Sequence, residues 1–157
     1  MACGLNPDKV IFYRQSDIPH IFELAWILSC LSAKGLLNRA HAYKAAVSDN
    51  KLAGSKDLDK GITMGLFNYP VLMAADILMF NANIVPVGQD QKQHIELTRD
   101  LAERLNSKFN LDFTIPEPII AKFGAKIMAL KTPTKKMSKS DKDLTETIFL
   151  LDSEEEI

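Results

Sequence analysis

Long apolar runs are scarce in this chain of 157 residues. The longest, from Tyr69 to Phe80, is broken by Asp76 and is too short to cross a bilayer as a helix. No charged-then-apolar leader opens the sequence, so no secretory signal is visible and no membrane partner is expected. Cysteine is nearly missing as well. Cys3 and Cys30 are the two present, and their spacing suits neither a metal site nor a redox pair. Free thiols in a reducing, cytoplasmic compartment are the expectation. An excess of one charge is also lacking: 19 basic and 20 acidic side chains leave a net charge of −1. No global field draws nucleic acid, and an RNA contact would need a local patch. Histidines number three; His20 lies one helical turn from Glu23, without the second histidine of a metal motif. There is no P-loop, no dinucleotide fingerprint and no evident Ser/His/Asp arrangement. Neither a metal site nor a permanently bound cofactor is expected.

What remains is an ordinary globular composition, 46% hydrophobic and 25% charged, in a chain long enough to bury one core. Val10-Ile11-Phe12-Tyr13 reads as a short buried strand. Pro19 suits the first turn of a helix on which Ile21, Ala25, Leu28 and Leu31 recur at helical spacing, with Phe22 and Trp26 beside them. Gly35 is expected to end it, and a second helix to cover roughly residues 38–47. Residues 48–61, rich in Lys, Asp, Ser and Gly without periodicity, read as a mobile loop carrying Lys51 and Lys56. A helical segment then runs to about Met79, with Pro70 implying a kink or restart. Ile84 to Val87 is a strand candidate in which Pro86 argues against a central position. The clearest helix follows, with Ile95, Thr98, Leu101, Leu105 and Phe109 on one face. Short strands are expected at Ile119-Ile120 and Lys126 to Leu130, then a Lys-rich loop from Thr132 to Asp143 and a helical piece around Thr147 to Leu151. Met1 to Gly4 reads as a last helical turn, and Ser153 with Glu156 as a capping box. Both ends thus fall within elements, as in a fragment. Alternating strands and helices predict an α/β domain with a largely parallel sheet.

Three groups could carry chemistry. In Lys135-Lys136-Met137-Ser138-Lys139-Ser140-Asp141, two lysines three apart can bring ammonium groups to a polyphosphate and stabilise charge on a leaving pyrophosphate. On charge alone, a solvated basic turn is the favoured reading, since charged loops are common. Gly88-Gln89-Asp90-Gln91 lies between a strand and a helix, where open parallel sheets bind ligands. Gly88 would let the backbone approach a ribose, with the N–H groups of Asp90 and Gln91 facing the same crevice. Alternatively Asp90 caps the helix and Gln93 closes a capping box. Tyr69, Met73 and Asp76, spaced by four and three, share a helix face. Apolar neighbours should partly bury the Asp76 carboxylate, which then needs a donor: a backbone N–H, an arginine or a ligand N–H. A flat aromatic ligand would suit Met73 and Tyr69.

The string Lys-Met-Ser-Lys-Ser is the signature of class I aminoacyl-tRNA synthetases. Tyr69 to Leu78, Val85 to Asp100 and Lys135 to Asp141, in this order and spacing, resemble bacterial-type tryptophanyl-tRNA synthetases, and the likeness runs from about Val10 to Asp143. It implies a partial Rossmann-like (HUP-type) parallel sheet with helices on both faces and a helical insertion, the whole of 1–157 being a central fragment of the catalytic domain. It implies that Asp76 accepts the indole N–H, that Tyr69 and Met73 line the L-tryptophan pocket and that Gln91 lies near the amino acid. Gly88, Gln89 and Asp90 would hold the ATP ribose, and the Ile127 backbone would meet the adenine. Lys136 and Lys139 would hold the β- and γ-phosphates, with Met137, Ser138 and Ser140 shaping the loop. The implied partners are ATP with Mg²⁺, tRNA(Trp) and a second copy in a homodimer.

One departure stands out. The family's N-terminal His-Ile-Gly-His-type motif has no match; Pro19-His20-Ile21-Phe22 lacks the glycine and sits elsewhere. The anticodon-binding helices are not seen either, so the chain by itself is expected to be inactive. The competing expectations are a tyrosyl-type synthetase, another HIGH-superfamily nucleotidyl transferase, or a non-catalytic binding or assembly module.

Overall fold

A computed structural model describes residues 4–121, 126–139, 141, 143–149, 151–153 and 155. Its centre is three helices. Helix α1 (His20–Leu31) opens behind Pro19 and buries Ile21, Leu24 and Leu28, one side chain per turn. A single-turn helix, α2 (Lys34–Leu37), and a helix as long as α1, α3 (His41–Leu52), follow. Helix α4 (Met64–Leu78) starts where the Thr63 hydroxyl accepts the Leu66 amide at 3.2 Å, an N-cap that satisfies an otherwise orphaned donor. Helix α5 (Lys92–Phe109) ends on Asn110 in the left-handed conformation, φ 52° and ψ 49°.

The core forms where α1 and α5 pack on α4. Ile21 and Leu28 of α1 meet Val71, Ala74, Ala75 and Leu78 of α4 and Leu97, Leu101 and Leu105 of α5. Ala74 and Ala75 leave room for neighbouring helices to approach closely, and both are fully buried. The face expected for α5 is present in Ile95, Thr98, Leu101 and Leu105, whereas Phe109 at its end is half exposed.

Strand β1 (Ile84–Pro86) pairs in parallel with β2 (Glu117–Ile119), in the register Ile84↔Glu117, Val85↔Pro118 and Pro86↔Ile119. Helix α5 supplies the crossover that a parallel pair requires, giving a β-α-β unit. The pairing is continued at both ends of β1 by Glu117 N–H to Asn83 O at 2.8 Å and Val87 N–H to Ile119 O at 2.9 Å. Alternation along the strand turns the nitrogen of Pro86 away from β2, so its missing donor interrupts nothing there. The α/β class with parallel pairing is therefore observed, on a two-stranded scale.

Several expectations are corrected. Val10 to Tyr13 forms no strand: Ile11 is 89% and Phe12 74% exposed. A buried strand needs a flanking edge, and instead Tyr13 merely packs its ring on Phe80 at 5.1 Å. Helix α3 extends to Leu52, well into the segment expected to be a loop, and Gly35 lies within α2 instead of stopping α1. Pro70 causes no restart; α4 runs through it and buries its ring. On α1, Trp26 and Phe22 face outward, at 72% and 48% exposure. The strand expected over 126–130 is reduced to one antiparallel bridge, Met128↔Lys136. The short helical piece falls earlier, as a 3-10 turn at Leu144–Glu146. Residues 1–3, Leu150 and Glu156, on which the expected terminal turn, part of that piece and the capping box depend, lie outside the described residues.

Candidate active site

The lysine-rich segment is a hairpin rather than an unstructured loop. Ala129 N–H donates to Lys135 O at 2.8 Å and Met137 N–H to Ile127 O at 3.0 Å, around a turn closed by Lys135 N–H to Thr132 O at 2.9 Å. Its turn is tied by Glu146, which is 8% exposed. That carboxylate accepts from the amides of Lys131 and Thr132, at 3.0 and 3.1 Å, and from the Thr132 hydroxyl at 2.6 Å. The Thr132 hydroxyl, followed by the two amides, holds the Glu146 carboxyl below its usual range against the opposing effect of burial. Farther along, the Thr147 hydroxyl donates to Ser138 O at 3.0 Å. Lys135 pairs with Asp141, and that hydrogen bond raises the lysine's pKa. Lys136 and Lys139 are exposed, Met137 is half-buried, and Ser140 lies outside the described residues. Ile127, expected to offer its backbone to adenine, is 61% exposed.

The hairpin reaches the turn after β1. Lys136 Nζ stands 3.5 Å from Asp90 Oδ2, bridging two motifs that are 46 residues apart. Residues Gln89–Gln91 form a 3-10 turn leading into α5. Gly88 has an ordinary φ of −70°, so its use is space: a Cβ there would lie 2.7 Å from Asp90 Oδ1. The Gln91 amide donates to Asp90 Oδ2 at 3.0 Å. This bond first, and the Lys136 charge later, lower the Asp90 pKa. The alternative capping-box role is overturned. Gln91 occupies the N-cap of α5 and no side chain caps it. Gln93 instead donates to Arg39 O and accepts from His41 N–H, both at 3.1 Å, which fastens α5 to the α2–α3 junction.

Tyr69, Met73 and Asp76 do share one side of α4, at 37% exposure for Tyr69 and with the other two half-buried. The donor for Asp76 is neither an arginine nor a backbone amide. Gln15 Nε2 lies 2.8 and 2.9 Å from its two oxygens, from a residue 61 positions away. A carboxylate has about four acceptor positions, so this contact leaves capacity for a further N–H. Tyr69 in turn meets His94 in the first turn of α5, with the hydroxyl 3.1 Å from Nε2 and the rings edge-to-face at 5.3 Å. The α4 wall is thus joined to α5 three residues beyond Gln91.

Sequence reasoning missed Gln15, His94 and Glu146. Gln15 had no usable signal, since it follows Arg14 beyond an apolar run that forms no strand. His94 had only its α5 spacing, one residue before buried Ile95, and Glu146 had none. Among the described residues no three His, Cys, Asp or Glu side chains cluster as metal ligands, and no helix is long and apolar enough to cross a membrane.

A parallel β-α-β unit whose first turn faces a lysine hairpin is the arrangement of a class I synthetase core. The family model described as tRNA synthetases class I (W and Y) matches residues 1–157, and the chain belongs to that family. The tryptophan–tRNA ligase of Neisseria meningitidis is 56% identical over 140 residues, covering 89% of this chain and 41% of the relative. That of Pseudomonas putida is 59% identical over 143 residues, covering 89% and 31%. The chain therefore spans less than half the length of these curated relatives. Among solved structures, tryptophanyl-tRNA synthetase from Mycoplasma pneumoniae matches with a TM-score of 0.85 at 41% identity, over 99% of this chain and 44% of that one. The Campylobacter jejuni enzyme complexed with ADP and tryptophan matches at 0.77 and 42% identity, over 98% and 44%. The likeness to tryptophanyl-tRNA synthetases drawn from the motifs is borne out, and with it the Rossmann-like class.

Proposed function

We propose that the chain provides the tryptophan wall and the ATP loop of a tryptophan–tRNA ligase. In the first step, the tryptophan carboxylate attacks the α-phosphorus of ATP, forming tryptophanyl-adenylate and releasing pyrophosphate. In the second, the terminal ribose of tRNA(Trp) takes the aminoacyl group. Alignment and charge stabilisation dominate such chemistry, and little side-chain acid–base work is needed.

The observation that carries the reading is the approach of Lys136 to Asp90 at 3.5 Å, which brings the lysine hairpin to the turn after β1. More than half of each side chain is exposed, and such pairs contribute only about 0–1 kcal/mol. A polyphosphate with several negative charges can therefore take Lys136 from Asp90 at little cost. Lys136 and Lys139 then hold the β- and γ-phosphates while Gly88, Gln89 and Asp90 hold the ribose and the Ile127 backbone meets adenine. Met137, Ser138 and Ser140 shape the loop. Mg²⁺ arrives on the triphosphate and neutralises part of its charge. Support for the nucleotide and amino-acid assignments comes from the Campylobacter relative, whose structure holds ADP and tryptophan.

On the other wall Asp76 accepts the indole N–H, Tyr69 and Met73 flank the ring, and Gln91 lies near the amino acid's polar end. A phenylalanine would leave the carboxylate without that donor, a penalty of about 1–3 kcal/mol. The test is calorimetric binding of tryptophan and tyrosine to the chain. Asp76→Ala should erase the preference for tryptophan, a change of roughly 10-fold or more; unchanged tryptophan affinity would sink the assignment.

The chain covers 41% and 31% of the two bacterial ligases, which supports the reading of 1–157 as the central part of a larger catalytic domain, inactive by itself. Tryptophan-dependent pyrophosphate exchange by the purified chain would refute this. The protein acts in the cytoplasm, and as a homodimer; the dimer is supported by the outward Phe22, Trp26 and Ile27 on α1. Light scattering that returns a monomer at high concentration would exclude the dimer.

A further inference from the structure

His94 is a buried, ionisable side chain that the proposed reaction does not use. It is 4% exposed, yet it touches Tyr69, which is 37% exposed and stands at the boundary between the core and the crevice. Its Nε2 lies 3.1 Å from the Tyr69 hydroxyl. Its Nδ1 is buried and, among the described residues, has no hydrogen-bond partner. A buried nitrogen without a partner is destabilising, and an apolar side chain of similar size would fill the position without that penalty. Packing therefore does not account for a histidine here, and the contact through Nε2 does.

We propose that His94 is a positioning residue of the amino-acid pocket, whose Nε2 fixes the direction in which the Tyr69 hydroxyl meets a bound amino acid. The role rests on Tyr69 lining that pocket. A phenol oxygen has one donor and two acceptor positions, and its proton swings freely when no partner is present. Engagement by Nε2 commits one of these positions, so the remainder point in a defined direction. The edge-to-face packing of the two rings, at 5.3 Å and 71°, restricts the tyrosine plane in the same way. His94 is itself held by the backbone of α5, where its carbonyl accepts from the Thr98 hydroxyl at 2.8 Å.

Charge matters as well, because an amino acid carries an ammonium group that an imidazolium behind Tyr69 would repel. Burial, followed by the nearby His41, lowers the pKa of His94, and Asp90 acts in the opposite direction. Arg39, Glu96 and Asp100 line the same cleft of about 170 Å³ beside the ring. The neutral imidazole is the form that orients the hydroxyl without adding a positive charge.

A double-mutant cycle on the chain tests the role, with tryptophan and ATP affinities read separately by calorimetry and the fold checked by circular dichroism. His94→Phe should weaken tryptophan binding about 5- to 10-fold, as expected for one lost orienting hydrogen bond, and leave ATP binding unchanged. His94→Gln, whose amide can reach the hydroxyl, should restore most of the loss. In a Tyr69→Phe background, His94→Phe should have no further effect. If the phenylalanine variant fails to fold, His94→Leu takes its place in the cycle. Equal losses for both ligands, or independent effects in the cycle, would overturn the role of His94 alone. Tyr69→Phe binding tryptophan as tightly as the unchanged chain, or no tryptophan binding by that chain, would overturn the pocket assignment and this role with it.

Discussion

Between α1, α4 and α5, Ile21, Leu28, Val71, Ala74, Ala75, Ile95 and Leu101 have no exposed surface, whereas among the described residues from 126 to 152 only Ala129 and Glu146 are buried. The helical body is held by apolar packing, and the lysine hairpin by a handful of backbone bonds and a carboxylate at its turn. Regions with few buried contacts open more easily than a packed core. The contrast suits the two tasks proposed for them. A wall that recognises a rigid indole gains from fixed geometry, while a loop that follows phosphates through bond cleavage gains from freedom to shift.

The largest effect is expected in the helical body. Leu101→Ala removes a fully buried side chain at the centre of α5 and should destabilise the chain by about 2–5 kcal/mol. Urea unfolding followed by circular dichroism measures this; a loss under 1 kcal/mol would mean that α5 is not the keystone of the core. Glu146→Ala probes the other side. It should speed amide exchange at Lys131 and Thr132 and loosen the hairpin while the thermal midpoint of the helical body stays nearly constant. A large drop in that midpoint would show that the two regions are not separable.

Acid sharpens the same contrast. The folded pKa of Glu146 is lowered by the Thr132 hydroxyl and two amides, and that of Asp143 first by the Thr145 hydroxyl. Each contribution is complete above the group's unfolded value, about 4, and is lost as the pH falls through the depressed folded value. Hairpin resonances in an NMR titration should therefore shift and broaden below about pH 4. Lys135 has the opposite sign: its raised pKa means that its contribution is lost only as strong alkali titrates it. Loss of hairpin order between pH 5 and 8 would contradict both assignments.

The smallest effect belongs to the surface of α5. Lys92→Ala deletes a 3.6 Å pair with Glu96 in which both side chains are about half exposed, and should change stability by no more than roughly 0.5 kcal/mol. Lys136→Ala should be as quiet in unfolding experiments, yet it should weaken ATP binding. A variant silent in both assays would remove the lysine from the phosphate site.

Much of the helical body was legible because burial within one helix is written in its own spacing. Ile95, Thr98, Leu101 and Leu105 follow the turn of α5, and Ile21 and Leu28 that of α1. The expected strand at Val10 to Tyr13 was not, since apolar β-branched residues signal a strand only when a neighbouring edge accepts them. Local chemistry misled in the same way at Gln93. Its position fits a capping box, but Arg39 O and His41 N–H lie within reach and take its side chain.

The periodic faces of α1, α4 and α5, and the order of the three motifs that place the chain among class I synthetases, are readable residue by residue, because each depends on positions close together in the chain. Which side chains meet is settled in three dimensions. Gln15 finds Asp76 across 61 residues, Lys136 finds Asp90 across 46 and Tyr69 finds His94 across 25. Such partners are set by how helices and hairpin pack, and packing is a property of the whole chain that no local spacing encodes.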